Sequence, residues 1–406
     1  MAAVIMGDSM LYNVLPANVD DFDVSLALVG VLLSANRFVR LLSNPLAAWA
    51  VQRFGLSKPL ALSAALAVAT TVMLGVAKGF ALLLVARLLW GVCYSFLRLT
   101  GVLVALEESA GGGRGRLLGF FNGGQRFGSL IGVLLGGILF DVFGRAASFL
   151  TIAALGFVGI PAALALKPAS AASHTTSKPP GPSQPTSRKS RLWDLALGVS
   201  PSQPKPLRQR LLACNFSVFA LNFVIAGGMV STLGYYLDQR LGEGPAIAGV
   251  VLGVATINGL LQAARWLADV GSVYWGHIAD SIGLEKAAIA TMPISIAALI
   301  LLALDAPLGL ALPWLVLSTV LLAAAVTALT AIAGGIATPR ERPQALARFA
   351  TWQDTGAAFG PLLAFALISR LSLDWVYLSG AAILAVAMIA FVLAFRPKVA
   401  TSAAES

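Results

Sequence analysis

Six arginines and three aspartates stand inside stretches that are otherwise apolar: Arg37, Arg40, Arg87, Arg98, Arg126 and Arg265, with Asp8, Asp269 and Asp354. In "LLSANRFVRLLSN", residues 32–44, two guanidiniums lie one helical turn apart. A charge at the centre of a bilayer costs roughly 3 kcal/mol on insertion scales. Six would cost roughly 18 kcal/mol, more than the whole stability of about 5–15 kcal/mol of a typical protein. Such side chains need water, a partner or a ligand, and Arg40 and Arg87 are the two expected to snorkel to the membrane surface. A guanidinium is a planar fork of donors suited to carboxylate, phosphate or nitrate. A carboxylate held in a membrane can take up and release a proton, so Asp8, Asp269 and Asp354 are candidate proton carriers.

Helical spacing groups these residues. Asn258, Gln262, Arg265 and Asp269 fall at i, i+4, i+7 and i+11, one stripe of one helix. Asp8 and Tyr12 are also four apart; Asn122, Gln125 and Arg126 cluster, as do Gln353 and Asp354. The candidate substrate-binding set is Tyr12, Arg37, Gln125, Arg126, Asn258, Gln262, Arg265 and Gln353. Asp8, Asp269, Asp354, Arg87 and Arg98 are candidates for proton coupling or ion pairing. The plainer readings are an Arg265–Asp269 pair along one helix and a hydrogen-bonded, structural Asp8.

The elements that must position these groups are membrane helices. The chain has 406 residues, 58% hydrophobic and 11% charged, with mean hydropathy +0.84. Soluble domains carry about 25% charged residues, so this is an integral membrane protein whose first partner is the lipid bilayer. The pI near 10 does not point to nucleic acid, because the basic residues lie in short loops. Crossing the hydrocarbon takes about 20 apolar residues. Twelve runs qualify: 1–17, 25–50, 58–77, 79–106, 117–140, 146–166, 211–236, 246–275, 286–304, 310–336, 344–369 and 374–395. The first is short, which implies a truncated helix or a start codon upstream. No cleavable signal peptide is evident.

Loops on one face carry Arg53, Lys58, Arg114, Arg116, Lys286, Arg340, Arg342, Arg396 and Lys398; the other face carries few cations but Asp20, Asp21 and Asp23. The first face is expected to be cytoplasmic, with both termini, in the inner membrane of the cell. Residues 167–210 are rich in Pro, Ser and Thr and read as a flexible linker, with "RLWDLAL" (191–197) a short interfacial helix anchored by Trp193. The expected organisation is a six-helix bundle over 1–166, a cytoplasmic linker over 167–210, a second bundle over 211–396 and a tail over 397–406. Cys93 and Cys214 lie in apolar runs and give no disulfide or metal framework. The histidines are His174 and His277, and no nucleotide-binding loop or metal cluster is visible. An enzyme is not expected on that ground, ATP-driven pumping is excluded unless a separate subunit supplies the ATPase, and neither cofactor nor metal is expected.

The two halves echo each other at a shift of 228 residues. Leu32, Leu33, Ala35, Arg37, Gly55, Leu56 and Lys58 meet Leu260, Leu261, Ala263, Arg265, Gly283, Leu284 and Lys286, and Phe38 meets Trp266. The same shift aligns Arg114, Leu118, Phe121, Gln125, Gly128 and Gly132 with Arg342, Leu346, Phe349, Gln353, Gly356 and Gly360. Repeated halves build a pseudo-symmetric cavity at the bilayer midplane, and rocking one against the other exposes it alternately.

On these residues the chain resembles the major facilitator superfamily over nearly its full length. That family's loop signature runs Gly-x-x-x-Asp-Arg-x-Gly-Arg-Lys. "GHIADSIGLEK" supplies Gly276, Asp280 and Gly283, with Ser281 and Leu284 at the arginine positions. The first copy keeps Arg53 and Gly55, with Ala48 and Gln52 where Gly and Asp belong. The resemblance implies a cytoplasmic gate at these loops, with Asp280 latching near helix 5. Arg87-x-x-x-Gly91 resembles the family's helix 4 motif, and Gly124, Gly128, Gly132, Gly136 and Gly137 approach the glycine pattern of exporters, for which plain helix packing is the alternative. The family pairing of helix 2 with 11 and helix 5 with 8 implies contacts of Arg37 with Asp354 and Arg126 with Asp269.

The implied fold is all-α, twelve transmembrane helices in two pseudo-symmetric six-helix bundles. The implied function is secondary active transport of a small solute by alternating access, proton-coupled, by a chain that works as a monomer. Paired Arg37 and Arg265 resemble the arginines of nitrate and nitrite porters and suggest an organic or inorganic anion. Proton-driven efflux of drug-like amphipathic compounds is the alternative, and a non-transporting sensor or assembly factor is a third.

Overall fold

The computed structural model describes residues 1–108, 114–161, 197, 199, 203–241, 246–247, 250–251, 253–271, 278–279, 281–338 and 341–396. Helices account for nearly all of them: α1 (Ala2–Val14), α2 (Leu26–Phe54), α3 (Ser57–Val76), α4 (Phe80–Glu108) and α5 (Arg114–Phe157) in the first half. The second half holds α6 (Lys205–Leu221), a π-helical turn (Asn222–Met229), α7 (Val230–Leu241), α8 (Val254–Val270), α9 (Leu284–Ala303), α10 (Leu308–Ile336), α11 (Arg342–Ile368) and α12 (Leu373–Phe395).

Eight stretches are long and apolar enough to cross a bilayer on length and composition alone. One of them, Gly123–Pro161, crosses twice, because Gly144 (φ 73°, ψ −178°) breaks α5 into two arms. That left-handed φ is one a residue with a Cβ rarely adopts. Another, Lys205–Leu241, is a single crossing made of α6, the π turn and α7. With α1, α8 and α11, which are short or carry polar side chains into the membrane, the crossings number twelve. Each half has its own apolar core, and the first half's core reaches across to Ala255 and Phe365 of the second.

The repeat is visible in the packing. A Cβ on Gly128 or Gly132 of α5 would strike the backbone of Ala2 or Met6 on α1. Their counterparts Gly356 and Gly360 of α11 meet the backbone of Phe219 and Phe223 in the same way. Gly55 and Gly283, equivalent in the two loops, both take positive φ, 75° and 95°. Small residues let membrane helices approach backbone to backbone, which is the bland reading of these glycines and the correct one at these positions; Gly124 has open space around it.

Three local expectations are corrected. The eighth span starts at Val254, and before it Ala246–Ile247 pairs antiparallel with Val250–Val251. Glycines and Pro245 in that stretch disfavour helix, and β-branched Val250 and Val251 suit a short ladder. The seventh span starts at Lys205, inside the segment read as linker, with Pro206 at a helix-starting position. Leu197, read as the end of a short interfacial helix, is buried with Val199 in the second half's core, and Gln203 donates to Glu341 (2.6 Å). Trp193, the rest of the linker, Gly276, Asp280, both histidines and residues 397–406 lie outside the described residues.

Arg145, next to the break at Gly144, is 9% exposed. It donates to the carbonyls of Leu74 (3.0 and 2.8 Å) and Asp21 (2.8 Å) and also to Ala77, and it stacks on Phe22. It caps the carbonyl end of α3, where a cation is favoured.

Candidate functional site

Two helix pairs join the halves, α2 with α11 and α5 with α8, and α1 also touches α7 and α8. Three polar clusters stand out, one inside the first half and two along these contacts.

The first ties α1, α2 and α4 together. Arg87 of α4 is fully buried (0%). It does not snorkel: Nε donates to the Leu32 carbonyl (2.8 Å), Nη2 reaches Leu33 (3.4 Å), and Nη1 bonds and ion-pairs with the Asp8 carboxylate. Gly91, one turn on, brings α4 against Asn36 of α2, where a Cβ would meet the Asn36 carbonyl oxygen. The Arg-x-x-x-Gly spacing thus serves both the charge and the close approach. Asn36 also donates to Asp8 (3.3 Å), and the Tyr12 hydroxyl donates to the Leu33 carbonyl (2.5 Å) and lies 3.3 Å from Asn36 Oδ1. Breaking a buried pair of this kind by removing one partner costs about 3–5 kcal/mol.

The second cluster lies between the halves. Arg37 of α2 donates to the Ala357 carbonyl of α11 rather than pairing with Asp354, which is exposed one turn earlier. Phe38 packs edge-on against Phe359 (5.1 Å between ring centroids), and this fixes the register that gives Arg37 a carbonyl as its acceptor. Arg126 of α5 faces Asp269 of α8 at 3.4 Å, with Arg126 44% exposed. Arg126 and Arg265 both sit over the Trp266 ring, at 5.4 and 5.0 Å. Arg265 shares its electrostatic surroundings with Asp269, Arg126 and Arg37, yet it has no hydrogen-bond acceptor and no ion pair within 4 Å among the described residues. The Arg265–Asp269 pair is therefore not formed; Asp269 turns to Arg126 instead. Beside Arg265, Gln262 is 5% exposed with its Nε2 unpartnered, and the Trp266 Nε1 is likewise buried without an acceptor.

The third cluster lies nearer the acidic face. Asn13 of α1 donates to the carbonyls of Val133 and Ala255 (3.0 Å each), and Asn258 donates to the Asn13 carbonyl (2.9 Å). Asp141 of α5 accepts from the Thr256 backbone N–H (2.8 Å) and its hydroxyl at the start of α8. Gly137 and Gly259 let the backbones of α5 and α8 touch. Asn258, read as a substrate residue, is a buried strut between the halves.

The remaining expected residues scatter. Gln125 donates to the Tyr94 hydroxyl (2.7 Å), and Arg40 stacks on the same ring at 4.7 Å and donates to the Asn36 carbonyl (3.2 Å). Arg98 is exposed on α4 and makes no ion pair among the described residues, so its expected pairing is not found. Gln353 is half-buried on α11; Arg53 is exposed beside Gly55. Sequence reasoning missed Asn13, Asn36, Asp141 and the role of Trp266. Of these only Trp266 left a signal, as the aromatic counterpart of Phe38 beside the repeated arginine.

Two bundles meet on polar side chains, and comparison gives the family. The model of the Major Facilitator Superfamily matches residues 1–270 and 266–406; the chain belongs to that superfamily. That superfamily consists of membrane-embedded transporters, not enzymes. The vesicular acetylcholine transporter of Rattus norvegicus is 32% identical over 154 residues, 37% of this chain and 29% of the relative. The synaptic vesicular amine transporter of Homo sapiens is 30% identical over 128 residues, 31% and 25% of the two chains. The matched region thus spans under a third of those relatives. Among solved structures, the nucleoside transporter NupG superposes with TM-score 0.72 at 14% identity, covering 98% of each chain. A POT family transporter in complex with 5-aminolevulinic acid gives 0.69 at 13% identity, covering 97% and 93%. These structures share the fold.

Proposed function

We propose that this chain moves a small organic anion across the membrane in exchange for, or together with, protons. The observation that carries this reading is Arg265, a permanent charge in the membrane-spanning core with no acceptor among the described residues. A half-buried charge without a partner is incompletely solvated, and an anionic substrate would relieve that cost. Arg37 and Arg126 add positive potential around it, against the single nearby carboxylate of Asp269. Asp8 is the proton site in this reading, because protonating it would release Arg87 from its ion pair. The surplus of basic loops supports a cytoplasmic position for both termini in the cell's inner membrane, and a monomer suffices for the mechanism. Thermal denaturation of the purified protein with a panel of anions tests the reading. The expected result is stabilisation by an anion that disappears in Arg265→Gln; stabilisation by lipophilic cations alone overturns it.

A second reading is proton-driven export of cationic or amphipathic compounds. It draws support from the acetylcholine and amine transporters among the relatives and from a carboxylate, Asp8, on the first helix. Competition between such cations and protonation of Asp8 distinguishes it: cation binding would vanish in Asp8→Asn and persist in Arg265→Gln.

A further inference from the structure

We infer that Pro361 makes Arg37 a latch between the halves, by vacating the backbone carbonyl on which Arg37 lands, while the repeat-equivalent Arg265 is left undocked. The latch works whatever solute is moved, so it goes beyond the anion reading. Pro361 stands inside α11. A proline has no N–H, so the carbonyl four residues earlier loses its helical donor. That carbonyl belongs to Ala357, which is buried. Inside a membrane such a group must find its donor on a neighbour. Arg37 of α2, in the other half, is that neighbour: its Nη1 donates to the Ala357 oxygen. The packing of α2 sets the register. Gly30 lies seven residues before Arg37 on the same helix face, and a Cβ there would strike the Pro361 carbonyl oxygen. Phe38 packs edge-on against Phe359 between them.

The other half supplies the contrast. At the shift of 228 residues Ala357 corresponds to Ser129, and Pro361 to Val133. Both lie within α5. Val133 has an N–H, so the Ser129 carbonyl has a helical donor four residues on. Arg265, on α8 against α5, therefore meets no vacated carbonyl at the equivalent place. Proline in one half and valine in the other thus account for one docked arginine and one without an acceptor among the described residues. Rocking of one half against the other moves α2 relative to α11, and the bond forms only where Arg37 faces Ala357.

The test reads the separation of the halves in the purified full chain by spin-label distance measurement. The labels go on Lys58→Cys and Lys286→Cys, two exposed, repeat-equivalent sites on the basic face, with Cys93→Ala and Cys214→Ala as background. Four proteins are compared: that background, Arg37→Met, Pro361→Ala and the two together. A charge-assisted hydrogen bond present in one conformation and lost in the other biases their ratio roughly tenfold or more. Arg37→Met should shift the distance distribution by that much. Pro361→Ala returns an N–H to Ala357 and should shift it in the same direction, and adding Arg37→Met to Pro361→Ala should change little further. If Arg37→Met does not fold, Arg37→Gln, which lacks the charge and the reach, serves the same comparison. An unchanged distribution on loss of Arg37 overturns the latch. Full, additive shifts from the two sites overturn it as well, because the proline would then act apart from the arginine. Neither result touches the anion reading, which is decided by anion binding and its loss in Arg265→Gln.

Discussion

Asp141 of α5 accepts both the backbone N–H of Thr256 (2.8 Å) and its hydroxyl, so a carboxylate from one half caps the first turn of a helix in the other. A helix N-terminus favours an anion, and a charged acceptor makes a hydrogen bond worth about 1.5–3 kcal/mol. Gly253 leaves room for it, since a Cβ there would overlap the carboxylate. The contact sits with the Asn13–Val133–Ala255 bonds on the acidic-face side, where the backbones of the halves touch. On the basic-face side the halves meet through the half-exposed Arg126–Asp269 pair. The conformation described is therefore tighter toward the acidic face.

Asp141→Ala should loosen that junction. The expected outcome is faster amide exchange in the first turn of α8, by roughly ten- to a hundredfold if local opening controls it. Asp141→Asn, which keeps an acceptor oxygen, should show a smaller change. Hydrogen exchange with mass spectrometry reads both; unchanged rates in Asp141→Ala would show that the contact does not hold the junction.

Asp8→Ala leaves Arg87 fully buried with only carbonyl partners. A loss of about 3–5 kcal/mol of stability is expected. The double substitution Asp8→Ala with Arg87→Met should recover much of it, because no uncompensated charge remains. Denaturation of the four proteins as a double-mutant cycle gives the coupling, and additive effects would contradict the pairing.

Arg126 and Asp269 make a different kind of pair. With Arg126 44% exposed, solvent screens the interaction, and its contribution to stability should stay below about 1 kcal/mol. Its expected role is in the transport cycle. Arg126→Asp or Asp269→Arg should each impair uptake into proteoliposomes, and the two together should restore part of it. Normal uptake by both single variants would remove the gate.

Gly128→Ala and Gly356→Ala should destabilise their respective halves to a similar degree, by about 1–3 kcal/mol or more, since each Cβ would lie 2.3 Å from a backbone carbonyl oxygen. Gly123→Ala, with nothing within 4 Å, should be tolerated. Melting temperatures in detergent provide the comparison.

The repeat is legible in the chain because it is written in residue types that packing cannot exchange: Gly128 and Gly356, Gly132 and Gly360, Gly55 and Gly283. Hydropathy locates ten spans well and misjudges the starts of the seventh and eighth. It cannot tell that Leu197 and Val199, in a stretch of polar composition, pack into a core. Arg87 escapes sequence reasoning for a related reason. Its position along α4 is plain from the chain, but that it faces the open carbonyls of Leu32 and Leu33 is a property of the α2–α4 packing. For Arg37 the repeat points to the right partner helix and the wrong acceptor, since an offset of less than one turn separates Asp354 from Ala357. Asp141 looks like any acid at the end of a span until α8 is placed beside it.

The glycine contacts of α5 on α1 have a mechanical corollary. With Gly128 and Gly132 seated on the backbone of Ala2 and Met6, neither helix can slide past the other without steric overlap. Asp8 and Arg126 therefore sit on two helices locked in register by backbone contact.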